Sequence, residues 1–218
     1  LAAYRVTLPP MKSRVEALTL RANLRQGDRL DLEQLWAKVA GGTVTASGRV
    51  EELKTQPKTT LNLEIQRLSL EELLPETAPG EATLKGRFSL SFQGKAEGLT
   101  WEEMSRSLTG NGRIQLQEGV VANLNVLREV FSRLSVVPGL AQVLQARLPE
   151  SHREKWNASD TMLEPIDLAV TAGGGSFTFE NFRVATDTFE LIGRGRLGLE
   201  GMLDLTTMLR VEPVLSAA

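Results

Sequence analysis

Gly193-Arg-Gly-Arg-Leu-Gly198 spells G-x-G-x-x-G, the pattern whose glycines let a backbone wrap the phosphates of a dinucleotide. That chemistry needs a strand before the motif and a helix N-terminus after it. The residues that follow Gly198 alternate as a strand, so no helix dipole is available for a phosphate. Ala172-Gly-Gly-Gly-Ser176 is a second glycine run, but no Gly-Lys-Ser/Thr follows it, and it reads as a hairpin loop. His152 is the single histidine. A Ser-His-Asp relay would have to depend on it, and a lone histidine builds no metal site. Its surroundings, Ser-His-Arg-Glu-Lys-Trp, read as a charged surface run.

Carboxylates are the remaining chemical groups. Glu71 and Glu72, Glu102 and Glu103, Glu118, Asp167, Asp187 and Asp204 could pair in space as a glycosidase-like dyad. Almost all of them fall on the polar side of alternating segments or in the first turn of a helix, where solvation explains them. The chain has no cysteine, which excludes disulfides, zinc–thiolate sites and thiol nucleophiles. Asn157-Ala-Ser159 is a glycosylation sequon by spelling. No catalytic residue, no metal and no cofactor is therefore expected, and a hydrolase ranks lowest among three functional classes.

The elements that would position any site are mostly strands. Leu61, Leu63 and Ile65 alternate with Thr60, Asn62, Glu64 and Gln66. Leu84, Phe88, Leu90 and Phe92 share even positions, with Lys85, Arg87, Ser89 and Ser91 between them. From Phe189 to Val211 every odd position is apolar, glycine or threonine, including Leu191, Leu197, Leu199, Leu203 and Leu205. That stretch is predicted to be a hairpin turning at Glu200-Gly201. Gly41-Gly42 is expected to be a tight turn. Ser69 and Glu72, and Thr100 and Glu103, have capping-box spacing and predict two short helices. Residues 75–80 read as a linker. Leu124, Leu127, Val130, Phe131 and Leu134 form a helical stripe that Pro138-Gly139 breaks, giving a helix pair over 124–148. The stripe is expected to pack on a sheet. Its polar side, with Arg128, Glu129 and Arg133, is too weakly basic for a membrane-surface helix.

Two stretches follow one plan. Leu32 to Val50 lies over Phe179 to Leu197 without a gap, matching Leu35 with Phe182, Val44 with Leu191 and Gly48 with Gly195. In each copy the apolar parity switches once, at Glu33-Gln34 and at Glu180-Asn181, which predicts a β-bulge or a sharp bend, used twice. The fold expected is α+β, mostly β, with strongly curved, mainly antiparallel sheet and a few short helices. One domain over 1–218 is expected, with sub-units 1–75 and 80–218 built on the repeated unit.

Bulk properties narrow the partners. A net charge of −2 over 218 residues argues against nucleic acid, which calls for a basic face. No run of about 18 apolar residues is present to cross a membrane as a helix. The first and last residues, Leu-Ala-Ala-Tyr and Leu-Ser-Ala-Ala, carry no start or stop signal, and the chain is expected to be a piece of a longer protein.

The order of these features resembles the C-terminal region of AsmA-like bacterial envelope proteins. The residues that carry the likeness are Gly41, Gly42 and Gly48, then Leu70-Glu-Glu-Leu-Leu74 and Gly86. Leu108-Thr-Gly-Asn-Gly-Arg113 and Gly119 follow, then Ile166-Asp-Leu and Phe177-x-Phe-x-Asn-Phe. Gly193-x-Gly-x-Leu-x-Leu and Met202-Leu-Asp-Leu205 close the series. The resemblance implies a periplasmic, β-rich module tethered to the inner membrane by a segment outside this chain, with a part in outer-membrane assembly and lipid balance. Related long members resemble bridge-like lipid transfer proteins, whose curved sheets form an apolar trough.

The function expected is non-enzymatic. Lipid acyl chains, phospholipid foremost, would bind along a groove lined by Leu61, Leu63, Ile65, Phe88, Leu90 and Phe92 together with Leu191, Leu197, Leu199, Leu203 and Leu205. The alternative is a scaffold that binds other envelope proteins through its sheet edges.

Overall fold

A computed structural model describes residues 15–74, 78, 80–126, 128–129 and 156–211. The expected stripe residues Leu127, Val130, Phe131 and Leu134, most of the helix pair, and His152 lie outside the described residues. The strands are β1 (Val15–Arg25), β2 (Arg29–Val39), β3 (Gly42–Glu51), β4 (Lys58–Ser69), β5 (Thr83–Glu97) and β6 (Thr109–Ala122). They continue as β7 (Thr161–Met162), β8 (Ile166–Gly173), β9 (Ser176–Ala185), β10 (Phe189–Gly198) and β11 (Leu203–Val211). Two short helices interrupt them, α1 (Leu70–Leu73) and α2 (Trp101–Ser107).

All eleven strands belong to one antiparallel sheet in the order β1-β2-β3-β4-β5-β6-β8-β9-β10-β11, with β7 beside β6. Among the described residues the sheet is not closed, and β1 and β11 are its two edges. Apart from β7, chain order and spatial order coincide, as in a meander; short turns join β1 to β2, β2 to β3, β8 to β9 and β10 to β11, since antiparallel neighbours need no crossover. The sheet passes the 75–80 segment without a break, since β4 pairs directly with β5.

The repeated unit is reproduced pair by pair. Leu32 faces Gly48, Leu35 faces Ala46 and Ala37 faces Val44 in the first copy. Phe179 faces Gly195, Phe182 faces Gly193 and Val184 faces Leu191 in the second. The register slips between Leu32 and Leu35, and again between Gly193 and Gly195 opposite Glu180-Asn181, so both bulges stand where the parity switch put them. The third strands correspond as well, with Leu61 opposite Gly48 as Leu205 is opposite Gly195.

Three turn and cap expectations are corrected. The β2–β3 turn is Ala40-Gly41, both at positive φ (48° and 66°), a type I′ turn; Gly42 already pairs with Val39. The β10–β11 hairpin has Leu197 opposite Leu203, so its turn holds an odd number of residues, centred on Glu200. Only an odd turn keeps odd positions facing odd positions; a two-residue turn would set Leu197 against Asp204. Ser69 makes no side-chain cap to α1, because its hydroxyl donates to Glu71 Oε2 at 3.1 Å. The Thr100–Glu103 capping box is present in full on α2.

Candidate functional site

Residues paired directly across antiparallel strands point their side chains to the same side. Following the registers therefore traces one face of the sheet. Leu61, Leu63 and Ile65 on β4 stand opposite Gly94, Phe92 and Leu90 on β5. Phe88, Leu90 and Phe92 stand opposite Leu116, Ile114 and Gly112 on β6. Ile114 and Gly112 lead to Leu168 and Val170 on β8, and Ala172 leads to Phe177 on β9. Phe177 and Phe179 face Leu197 and Gly195, and Leu197 faces Leu203. In the other direction Val44 and Ala46 lead to Ala37 and Leu35, and these to Leu18 and Leu20 on β1. The same side is apolar from one edge of the sheet to the other.

Ten of the eleven residues expected to line a groove lie on this face: Leu61, Leu63, Ile65, Phe88, Leu90, Phe92, Leu191, Leu197, Leu203 and Leu205. Leu199 does not. It follows the end of β10, in the turn, and its N–H donates to Gly175 O at 3.0 Å. The sequence reading left out the contributions of β1, β2, β6, β8 and β9 to the same face, among them Ile114, Leu168, Val170, Phe177 and Phe179. Alternation alone was the available signal for these strands; it gives the face of each strand but not which strands adjoin.

Packing on the face is uneven. The ring of Phe92 meets that of Phe177 edge to face, centroids 6.0 Å apart. Near one end of the sheet Val39, Ala40 and Leu68 form a buried cluster, with Leu73 of α1 laid against it. At the β10 and β11 end Trp156 and Phe189 are buried together, with Val126, Leu191, Leu209 and Val211 around them. Asn125 pins that cover by donating to Trp156 O and Ala158 O at 3.0 and 2.9 Å. Between these points Leu61, Leu63, Ile65, Leu90 and Ile114 are only half-buried. At the edges the face opens: Leu18 and Leu20 of β1 are 63% and 60% exposed, and Leu203 of β11 55%.

The order and chemistry of the strands agree with a comparison against protein families, in which a model described as AsmA family matches residues 6–171. The chain belongs to the AsmA family. No curated protein and no solved structure matches it. Membership of the AsmA family suggests an envelope-associated role. Among the described residues of this AsmA-family chain no helix is long and apolar enough to cross a membrane. Nor do any three of their carboxylates stand where they could hold a metal ion.

The other face of the AsmA sheet is polar and many of its charges are paired. Arg113 donates to Asp167 from Nε and Nη2, and Gln115 adds a third bond at 3.0 Å, keeping that carboxyl below its ordinary range. Asp31 is gripped by Arg29 at 2.9 Å and Arg49 at 2.8 Å, with Arg25 3.1 Å from its second oxygen, and is likewise held low. Glu103 is held low by the Leu99 and Thr100 N–H groups of its cap. Burial pushes Glu71 up, but backbone N–H groups, its own and that of Gly86, outweigh it, so this carboxyl too sits low. Glu102 pairs with Arg106, and Glu118 with Arg67. Every displaced carboxyl among the described residues is displaced downward. The G-x-G-x-x-G residues run as strand β10 into a turn and then β11.

Two shallow depressions on the polar face occupy the same place in the two copies of the unit. The first is lined by Glu33, Gln34, Thr45 and Ser47, and continues to Asn62, Glu64, Ser91 and Gln93. The second is lined by Glu180, Asn181, Ile192 and Arg194, and continues to Thr206 and Met208. Each sits at its bulge, where the extra residue bends the strand away and leaves a hollow.

Proposed function

We propose that this AsmA-family module binds lipid acyl chains along its apolar sheet face and lets them move along it, without catalysing a reaction. The observation that carries this reading is the continuity of that face. Apolar side chains follow one another from β1 to β11 in direct register, and the stretch over β4, β5 and β6 is half-buried. An apolar surface of this extent that is not fully covered favours an apolar occupant.

The mechanism is solvation. Each methylene taken out of water gains about 0.8 kcal/mol, so a chain of about ten carbons binds without polar recognition. Dispersion contacts carry little positional preference, so a bound chain slides between equivalent leucines. The polar face, with its paired charges, stays in water and keeps the sheet soluble on its outer side. In this reading the module works on the periplasmic side of the envelope, tethered to the inner membrane as the family resemblance implies, and phospholipid is the cargo.

Mass spectrometry of an organic extract of the purified chain tests it. Phospholipid in near-stoichiometric amount is expected, exchangeable for a fluorescent fatty acid. Protein that comes out lipid-free and takes up no fluorescent acyl chain overturns the reading.

A further inference from the structure

The repeat gives β11 a counterpart, β4, that has a neighbour on both sides. Strand β11 is to β10 what β4 is to β3: Leu205 stands opposite Gly195 as Leu61 does opposite Gly48, and Leu209 opposite Leu191 as Ile65 does opposite Val44. The outer side of β4 is taken by β5, which also closes the first polar depression with Ser91 and Gln93. The outer side of β11 has no neighbour among the described strands. The two edges of the sheet also differ. The β1 pairing is interrupted by two register shifts, whereas β11 pairs with β10 over nine residues without one. Bulges blunt an edge; an unbroken one is a template for another strand.

The sequence of β11 names the strand that fits. It is self-complementary about Thr207. If a second β11 lies antiparallel with Thr207 opposite Thr207, Asp204 of each copy faces Arg210 of the other. Leu205 then faces Leu209 and Leu203 faces Val211, so the apolar face continues across the junction. A shift of two residues either way removes both charge pairs. Asp204 has no hydrogen-bond or ion-pair partner among the described residues, and Arg210 reaches Glu190 only at 3.6 Å. An acid unpaired among the described residues thus meets a loosely held arginine.

We propose that two copies of this chain join through β11 in a two-fold antiparallel pair centred on Thr207, making one sheet with a single uninterrupted apolar face. An isologous contact of this kind closes after two copies and cannot grow into a fibre. The inference stands apart from what the apolar face binds.

The chain has no cysteine, so one introduced thiol reads the register without background. Thr207→Cys puts two thiols across the two-fold axis, within the span a disulfide bridges. Mild oxidation of the full chain is expected to give a covalent dimer for Thr207→Cys and none for Asp204→Cys or Arg210→Cys alone. A mixture of the last two cross-links. Analytical ultracentrifugation of the unmodified chain is expected to show a dimer, weakened about tenfold or more by Asp204→Arg, which turns two attractive pairs into repulsive ones. The double exchange Asp204→Arg with Arg210→Asp restores it, with circular dichroism confirming that each variant is folded. A monomer at every concentration overturns the proposal, and so does cross-linking that is equal at positions 204 and 207, whatever other strand the edge then takes.

Discussion

Phe92 and Phe177 meet edge to face with ring centroids 6.0 Å apart, although β6 and β8 run between their strands. In a flat sheet strands three places apart lie about 14 Å from one another. The rings close that distance by lying down across small residues. A methyl group on Gly110 would come within 2.7 Å of the Phe92 ring, and one on Gly112 within 3.0 Å. Phe177 stands opposite Ala172, another small residue. Phe92 is thus the bridge that joins the two halves of the apolar face. Phe92→Ala is expected to cost about 3 kcal/mol in urea unfolding, from lost transfer energy and the cavity beneath. Phe177→Ala in the Phe92→Ala background is expected to cost less than it does alone, since the two share one contact. Additive losses would show that the rings act separately.

Gly42 and Gly173 make a second contrast. A methyl on Gly42 would stand 2.4 Å from Gln66 O and 2.7 Å from both Arg67 C and Leu68 N, all of them main chain. None can yield without opening the β3–β4 pairing. Gly42→Ala is expected to destabilise by about 3 kcal/mol. Around Gly173 nothing lies within 4 Å, so Gly173→Ala is expected to change stability by less than about 0.5 kcal/mol. Equal effects of the two substitutions in chemical denaturation would contradict the close approach at Gly42.

Asp31 carries a pH dependence of known sign. Its carboxyl is held below the ordinary carboxylate range, first by the Arg29 bond and then by Arg49. A lowered folded-state pKa means stability that is fully present above the unfolded value, near 3.9, and lost as pH falls through the folded value. Asp31→Asn is therefore expected to melt below the parent protein at pH 7, and the gap is expected to narrow as pH drops below about 4. The second copy of the unit makes the role plain. Thr178 takes the place of Asp31 opposite Arg196, which donates instead to Ser176 Oγ at 2.7 Å. The acid holds arginines together in the first copy and is not required by the hairpin itself. Thermal midpoints whose gap stays constant from pH 7 to 3 would remove the charge explanation.

Much of the fold could be read from the chain because a strand writes its faces in period two. Leu61, Leu63 and Ile65, or the odd positions of β10 and β11, give the apolar side directly. The bulges were legible for the same reason: an extra residue at Glu33-Gln34 or Glu180-Asn181 shifts every apolar position after it. Glycines were harder. Gly41-Gly42 reads as a turn, but Ala40 occupies one of its positive-φ positions, and Gly42 is needed for room against β4. Local spelling does not separate a glycine kept for its backbone angle from one kept for its missing side chain. Leu199 failed in a related way, since parity continues through a turn of odd length while the strand does not. The neighbour relation between β5 and β9 through two glycine-bearing strands had no sequence signal, because it depends on which hairpins adjoin.

The apolar face and the polar face can be separated by adjacent residues of one strand. Leu63 is half-buried on the apolar side of β4, opposite Phe92, and Asn62 is exposed on the other, opposite Gln93. A carboxylate at position 63 would sit in the path of any acyl chain lying along the sheet, and desolvating it costs several kcal/mol. A carboxylate at position 62 joins a surface that already carries Glu64 and stays in water. If acyl chains lie on the apolar face, Leu63→Glu is expected to lower fluorescent fatty-acid binding at least about tenfold, while Asn62→Glu leaves it within about twofold. Leu63→Met controls for packing: it keeps the volume and the polarity, costs less than about 1.5 kcal/mol, and is expected to bind normally. Loss of binding in Asn62→Glu with retention in Leu63→Glu would move the ligand to the opposite side of the sheet, into the depression beside Glu33 and Gln34.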